Sequence, residues 1–397
     1  MAFKRARWAR RKTIGLGRLA LGAVAALTVG EAARAADSPW SLGVSYTVDV
    51  SGPVAGGRSQ GGRVLDNLMV EADLDLGQAA GWRGATAHLS LLSNAGGQPN
   101  DLAGTLQGVD NIEVARPRGK LYEAWLEQGF GAGSLRAGLY DLNSEFYASE
   151  AAGLLIAPAF GIGSELAATG PNGPSIFPST ALAARLRLSP REDVYLQAAA
   201  VNAKAGVIGD PGGVDLGFDD GALYIAEAGW TGRGKVAAGA WRYGERQPDI
   251  RDVTLAGEPA RRTAQGAYLL VEQPLAGGAG GPRVSGFVRL GVSDGDTSPF
   301  RGGAQAGVLV EEVLPGRPDS AVSAGVNRGE LSGKFRRNLA DGGVRPARGE
   351  TGFEITYADR IAPRLTLQPS LQYVLDAGGD RAARDVVVLT LRASFEL

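Results

Sequence analysis

Charged and aromatic side chains alternate with apolar ones along several short segments of this 397-residue chain. Arg136 and Tyr140 fall on one parity of such a segment, and Arg185 and Arg187 fall on one parity of another. Guanidinium, carboxylate and amide groups hydrogen-bond hydroxyls, and aromatic rings can receive the apolar face of a small solute. The candidate binding residues are Trp125, Arg136, Tyr140, Asn143, Glu145, Phe146, Tyr147, Glu165, Arg185, Arg187, Arg242 and Arg289. The alternative for each is a wall residue paired with a neighbour.

The composition argues against most catalytic and metal chemistry. The absence of cysteine excludes thiol nucleophiles, thiolate metal sites and disulfides. The single histidine, His88, has the parity opposite to the apolar positions of its segment, which favours an ordinary polar-face histidine over a catalytic one. The aspartates within 215–220, and Asp294 with Asp296, lack the spacing of a recognised calcium site. We therefore predict no enzyme activity, no cofactor and no metal.

The N-terminus has the three parts of an export signal. A basic stretch from Lys4 to Lys12 precedes the apolar run Leu19 to Gly30, and residues 33–35 fit the small-x-small cleavage pattern. The apolar run is short for a membrane anchor, which needs about 20 residues. We predict a signal peptide over 1–35 and one domain over 36–397. The mature chain then carries 33 Lys and Arg against 41 Asp and Glu, so nucleic acid is not an expected partner.

Alternation with period 2 dominates the chain from Trp40 onward and predicts short strands. In the last strand, residues 385–397, the apolar face runs from Val387 through Leu391 to Leu397. A strand of about 10 residues can cross a bilayer, where a sheet must close so that it leaves no edge in lipid. The predicted strands are 42–50, 68–76, 85–91, 122–130, 135–142, 181–188, 194–202, 222–230, 236–243, 266–273, 284–292, 305–310, 321–326, 351–357, 365–374 and 385–397.

Tight and long connections alternate between these strands. GQAAG, GAGS, SPRED and TGRG are tight, whereas the connections between them are mostly longer, irregular and rich in glycine. An even number of antiparallel strands with tight turns at one end and long loops at the other is typical of an outer-membrane barrel. A soluble sandwich gives no reason for every second connection to be tight. The sequence therefore predicts an all-β fold, a sixteen-stranded antiparallel transmembrane barrel.

The cost of outward charge predicts which face of each strand meets lipid. An Arg or Lys on the lipid face near the midplane costs roughly 2 to 4 kcal/mol, so charged positions should face the lumen. This rule places inside Glu71, Glu123, Glu127, Arg136, Arg185, Arg187, Arg242, Arg289, Glu354 and Arg392. Outward aromatic residues near strand ends should form girdles at the membrane interface, namely Trp40, Phe130, Trp230, Trp241, Tyr357 and Phe395.

Several longer phrases resemble one known family. They are LYEAWLEQGFGAGSLRAGLYDLNSEFYAS (121–149), FPSTALAARLRLSP (177–190), GAYLLVEQPL (266–275), RVSGFVRLG (283–291), PGRPD (315–319) and LTLQPSLQYVLDAGG (365–379). The chain is similar here to the carbohydrate-selective outer-membrane porins of the OprB type. The resemblance implies passive diffusion of monosaccharides such as glucose, and a segment after the fifth strand that folds inward to narrow the pore. Glu145 and Phe146 match the family's NSEF phrase and lie in that segment.

These expectations define the partners and the alternatives. The expected partners are outer-membrane lipid, small sugars and the outer-membrane assembly machinery, and the barrel is a monomer or a homotrimer. One alternative function is a general or organic-acid-selective diffusion porin. Another is a barrel that serves as an enzyme or an adhesion scaffold.

Overall fold

A computed structural model describes residues 38–277 and 281–397 of the chain. The predicted signal peptide lies outside these residues. Sixteen strands form a closed barrel in which each strand pairs with its sequence neighbour in the ring, and the last strand pairs with the first. The predicted sixteen-stranded antiparallel barrel is confirmed. The barrel strands are β1 (Trp40–Ala55), β2 (Arg63–Asp75), β3 (Ala85–Gly96), β4 (Arg118–Phe130), β5 (Gly133–Tyr140), β6 (Ala181–Arg191), β7 (Val194–Asn202), β8 (Ala222–Trp230), β9 (Lys235–Tyr243), β12 (Gln265–Ala276), β13 (Arg283–Ser293), β14 (Phe300–Glu311), β15 (Ala321–Leu331), β16 (Gly349–Ala362), β17 (Leu365–Leu375) and β18 (Val386–Glu396).

The alternating apolar and polar residues of the sequence correspond to side chains that alternately face outward and inward in the barrel wall. In β18, Leu389 and Leu391 are 48% and 49% exposed on the outside, whereas Thr390 between them is 4% exposed. β18 pairs with β1 over the stretch from Ser45 to Ala55, so the sheet has no open edge there. In a closed wall, the backbone N–H and C=O groups of every strand find partners within the sheet, as a bilayer core requires.

The two ends of the barrel differ as predicted. At the short-turn end, β4 and β5 are joined by residues 131–132, and β6 and β7 by residues 192–193. At the long-loop end, residues 141–180 join β5 to β6, and residues 203–221 join β7 to β8. Trp40, Phe130 and Trp230 lie on the outer face near the short-turn end and are 59%, 48% and 38% exposed. Their positions correspond to those of the aromatic girdle that outer-membrane barrels have at the membrane interface.

Short elements outside the barrel wall were not predicted. The small hairpin of β10 (Gln247–Val253) and β11 (Pro259–Arg262) lies in the loop after β9. The helices are α1 (Leu76–Ala80), α2 (Pro99–Ala103), α3 (Ser164–Ala167) and α4 (Gly333–Asp341). Ser332 caps α4 because its hydroxyl accepts the N–H of Phe335 at 3.1 Å. Among the described residues, no helix is both long and apolar enough to cross a membrane.

Trp241 and Arg242 of β9 have the opposite faces to those predicted. Trp241 is 3% exposed and pairs with Ile225 on the lumen face, whereas Arg242 is exposed and pairs with Tyr224 on the outer face. The prediction followed from the cost of an outward charge, but here an aromatic cluster that includes Tyr243 packs inside the wall. Arg242 is the next-to-last residue of β9 at the long-loop end, where an outward charge costs little. Arg242 is therefore not a lumen residue.

Candidate functional site

The connection between β5 and β6, residues 141–180, folds into the barrel; we call it the constriction segment. Glu354 of β16 accepts the N–H groups of Ile156 at 2.7 Å and Ala157 at 2.8 Å. Glu227 of β8 accepts the N–H of Tyr147 at 3.0 Å. A chain that leaves β5 and is bonded to both β8 and β16 crosses the lumen. The inward fold implied by the family resemblance is confirmed.

Arg289 of β13 attaches the same segment through its carbonyl groups. The side chain is fully buried, and its Nη1 donates to the carbonyl oxygens of Tyr147 at 3.1 Å and Gly161 at 2.9 Å. Its Nη2 donates to the carbonyl oxygens of Ala159 at 3.2 Å and Phe160. The planar fork of a guanidinium group allows one side chain to bond several carbonyl groups. Arg289, predicted as a pore-lining residue, instead holds the constriction segment in place.

Three predicted residues of the constriction segment are also buried. Phe146 and Tyr147 have no exposed surface, and Glu165 is 1% exposed. The Tyr147 ring stacks on Tyr268 with 4.0 Å between centroids, and its hydroxyl donates to Glu165 Oε1 at 2.8 Å. Tyr147 has a φ of 59°, a conformation that a bulky residue holds only where its surroundings enforce it. These residues therefore fix the shape of the segment and do not face the channel.

A second connection also folds inward, and it was not predicted. We call residues 98–116 the second inward segment. Glu350 of β16 accepts the N–H groups of Leu106 at 2.8 Å and Gln107 at 2.9 Å. Gln372 of β17 donates to the carbonyl oxygen of Val109 at 2.7 Å. The sequence feature that could have indicated this segment is a carboxylate on the lumen face of a strand together with a long irregular loop. A buried carboxylate needs hydrogen-bond donors, and the backbone of such a loop can supply them.

The lumen wall of β4 to β7 has a different character, because several of its charged groups remain partly exposed. We call Trp125, Glu127, Arg136, Glu145, Arg185 and Arg187 the channel strip. The side chains of Arg136, Glu127 and Glu145 are 14%, 23% and 16% exposed, whereas that of Arg185 is buried. The structure thus brings five of the predicted residues together, namely Trp125, Arg136, Glu145, Arg185 and Arg187, and Glu127 completes the set.

Ion pairs connect the channel strip. Arg136 Nε donates to Glu127 Oε2 at 2.8 Å. Arg185 donates from Nε and Nη2 to the two oxygens of Glu145, at 2.8 and 2.9 Å. The same Nη2 lies 3.2 Å from Glu127 Oε1, and Tyr140 donates its hydroxyl to Glu145. Each carboxylate is therefore held by arginine, and the guanidinium charges of Arg136 and Arg185 are compensated locally.

Aromatic faces lie within the same wall. The His88 and Trp125 rings stack with 4.8 Å between centroids and 12° between planes, and Arg136 Cζ lies 3.8 Å from the Trp125 ring. Arg187 Cζ lies 4.4 Å from the Tyr195 ring. Such contacts hold flexible cations in fixed positions. The channel strip therefore presents rigid donors, acceptors and ring edges to a solute.

The remaining loop candidates are occupied by internal contacts. Asn143 Nδ2 donates to the carbonyl oxygen of Phe146 at 3.1 Å, so its amide closes a turn in the constriction segment. Lys204 Nζ lies 3.3 Å from Asp215 and 2.7 Å from Asp220. Over residues 38–277 and 281–397, no group of three or more acidic or histidine side chains has metal-binding geometry.

The wall, the folded-in segments and the paired lumen charges together define a porin. The chain belongs to the OprB family of carbohydrate-selective porins, whose family model matches residues 59–397. The protein is therefore a carbohydrate-selective porin of the outer membrane, as predicted. No curated protein matches the chain at a significant level.

Solved structures support the fold. The high-pH structure of OprB from Pseudomonas putida is 20% identical and superposes with a TM-score of 0.82, covering 91% of this chain and 95% of that one. The low-pH structure of the same protein is 16% identical with a TM-score of 0.58, covering 91% and 94%. The outer-membrane channel DcaP of Acinetobacter baumannii is 11% identical with a TM-score of 0.52, covering 90% and 97%. At these identities the likeness concerns the fold alone.

Proposed function

We propose that the protein lets monosaccharides such as glucose diffuse passively along the channel strip. The observation that carries this proposal is the pairing of the strip's charges. Arg136 and Arg185 are bonded to Glu127 and Glu145. Arg136 and the two carboxylates stay partly exposed, whereas Arg185 is buried and compensates their charge. The strip thus offers many hydrogen-bonding groups with little net charge. A neutral polyhydroxyl solute needs that combination, together with apolar contact such as the edge of the Trp125 ring offers.

The ion pairs also argue against a strong preference for anions. Arg187 has a neutral hydrogen-bond partner, Gln197 Oε1 at 3.0 Å, whereas the other two arginines of the strip each have a carboxylate. Glu123, with a side chain 12% exposed, adds a further acid close to His88. A channel that selects organic acids would be expected to leave several cations uncompensated. The alternative of an organic-acid-selective or general diffusion porin rests mainly on Arg187.

Liposome swelling distinguishes these functions. The mature protein is reconstituted into liposomes and exposed to isotonic glucose, gluconate or an amino acid. Faster swelling in glucose is expected, because gluconate carries a charge that the strip does not compensate. Equal rates would favour a general diffusion porin, and faster entry of gluconate would favour an organic-acid channel. Glucose block of the ionic current in a planar bilayer then reports binding. Arg187→Gln should weaken that block, whereas Arg233→Gln in the turn between β8 and β9 should not.

Export and assembly complete the proposal. Residues 1–35 act as a cleaved signal peptide, the mature domain spans 36–397, and the assembly machinery inserts the barrel as a monomer or a homotrimer. N-terminal sequencing of protein purified from outer membranes tests the cleavage site, which should lie just before Ala36. The protein acts as a channel without catalysis. His88 is stacked on Trp125 and lies 2.8 Å from Asp73, so its substitution by alanine should abolish no hydrolytic activity.

A further inference from the structure

The outer wall of β6 to β9 contains an apolar groove. Its upper part has a cavity volume of about 910 Å³, and a part of about 550 Å³ continues it toward the short-turn end. The two parts share the outward residues Leu186, Ala198, Ala226 and Ala240. The lower part also reaches Leu188 and Leu196, which line a further depression beside Phe130. The groove therefore runs along the strands and across much of the height of the membrane.

Strand pairing explains why the wall is concave there. Ala226 is paired with Ala198 on one side and with Ala240 on the other, and Ala240 is paired in turn with Ala267. Four neighbouring strands thus present methyl groups in one row. Leu186 pairs with Ala198 and forms the side of the groove. Small side chains lower the wall between longer ones, so that an external chain can approach the backbone closely.

A cation stands at the long-loop end of this groove. Arg242 lines the upper part, is exposed, and is paired in the sheet with Tyr224 and Gln265. Within the described residues its side chain makes no ion pair and no hydrogen bond to another side chain. Asp294 also lines the upper part, but its carboxylate accepts the N–H groups of Asp296 and Thr297, each at 2.9 Å. The guanidinium group is thus available to an external anion.

We propose that the groove binds a phosphate-bearing lipid of the outer leaflet, with an acyl chain along the groove over Ala240 and Ala238 and the phosphate at Arg242. The long loops of an outer-membrane barrel face the cell exterior, so Arg242 lies at the level of the outer-leaflet headgroups. A guanidinium group binds phosphate through two parallel hydrogen bonds. Charge and apolar surface follow one another along the membrane normal, in the same order as the head and tail of such a lipid.

A second copy of the chain fits the groove less well. A protein partner seated on this face would bury Arg242, and a buried guanidinium group without a carboxylate carries a large desolvation penalty. On the same face, the Asp294 carboxylate is already engaged by its own loop. A lipid supplies the missing anion and the apolar chain together, and it leaves the barrel free to act as a monomer.

Native mass spectrometry of the mature protein in detergent tests the proposal. The protein is titrated with diphosphoryl lipid A and, separately, with fully dephosphorylated lipid A, which has the same acyl chains and no phosphate. Arg242→Gln should weaken binding of diphosphoryl lipid A at least ten-fold, because it removes two charge-assisted hydrogen bonds and glutamine restores at most one neutral bond. Binding of the dephosphorylated lipid should stay nearly unchanged. Ala226→Leu should fill the groove and weaken both. Its matched control is Ala393→Leu, on the outer face of β18.

Glucose flux into liposomes should stay at the native value in every variant, because all these positions lie outside the lumen. A native glucose flux also shows that each variant has folded. Lipid A binding that is equal in the native protein, Arg242→Gln and Ala226→Leu would overturn the proposal. A native oligomer that Ala226→Leu converts into monomers would also overturn it, because the groove would then be an interface between copies of the chain.

Discussion

Replacement of Arg289 by methionine should release the constriction segment while the barrel wall stays closed. Methionine keeps a long apolar side chain on β13 but removes every donor that bonds the carbonyl groups of Tyr147, Ala159, Phe160 and Gly161. The wall itself is held by strand pairing on both sides of β13. The substitution therefore separates the stability of the segment from that of the fold.

The bond lengths allow the magnitude to be estimated. Three of the bonds lie between 2.9 and 3.2 Å. A hydrogen bond to a charged group contributes about 1.5 kcal/mol at the lower end of its range, so the three together contribute about 4.5 kcal/mol. That energy shifts the equilibrium between the docked and the undocked segment by a factor on the order of a thousand. Water in the opened lumen can solvate the released carbonyl groups, so undocking leaves no carbonyl group without a hydrogen bond.

Two measurements follow the release. Hydrogen exchange reads the N–H groups of Tyr147, Ile156 and Ala157, which the docked segment donates to wall carboxylates, and their protection should fall by up to about a thousand-fold. Single-channel conductance should rise, and swelling rates should no longer discriminate between glucose and larger sugars. Arg187→Met is the matched control for hydrogen exchange, because Arg187 lies in the lumen wall and bonds Gln197 rather than the segment. Native protection and native conductance in Arg289→Met would refute the reasoning.

Three further predictions concern other groups. Burial and the nearby Asp49 carboxylate raise the pKa of Asp110. Docking of the second inward segment is therefore strongest below the ordinary pKa of an aspartate and weakens as the pH rises through the raised pKa. Conductance should rise with pH in the native channel and not in Asp110→Asn. Burial acts to raise the pKa of Asp249, but hydrogen bonds, the strongest from Lys334, hold that pKa at about 2. Pepsin cleavage within 247–262 should therefore increase as the pH falls from 3.8 toward 2, and the Lys334→Ala variant should be cleaved already at pH 4. Trp125→Ala should weaken glucose block several-fold in planar bilayers, because the cation–π contact that positions Arg136 contributes about 1 kcal/mol.

The strands could be predicted because the bilayer imposes a local rule. Every second residue meets lipid, so the alternation of Leu389, Thr390 and Leu391 can be read without any knowledge of the rest of the chain. Trp241 and Arg242 mark the limit of that rule. Their faces depend on what fills the lumen beside β9, and that filling comes from residues 141–180, far away in the sequence.

The division of the lumen charges could not be predicted for a related reason. Glu354 bonds Ile156 across 198 positions in sequence, and Arg289 bonds Tyr147 across 142. On a single strand, Glu354 and Glu127 give the same signal: each is a carboxylate on the inner parity. Only the path of the inserted chain decides that the first binds backbone N–H groups and the second stays beside water.

The two uses of charge depend on each other. A segment rich in Gly, Pro and aromatic residues carries backbone groups that need partners once it enters the barrel. Wall carboxylates and Arg289 supply those partners on β8 to β16, so the inserted chain is fixed against that side. Partly exposed charges remain beside the wall of β4 to β7, where Arg185 bridges Glu127 on the wall and Glu145 on the segment. Loss of the Arg289 bonds should therefore disorder the channel strip as well, because Glu145, one of its two carboxylates, moves with the constriction segment.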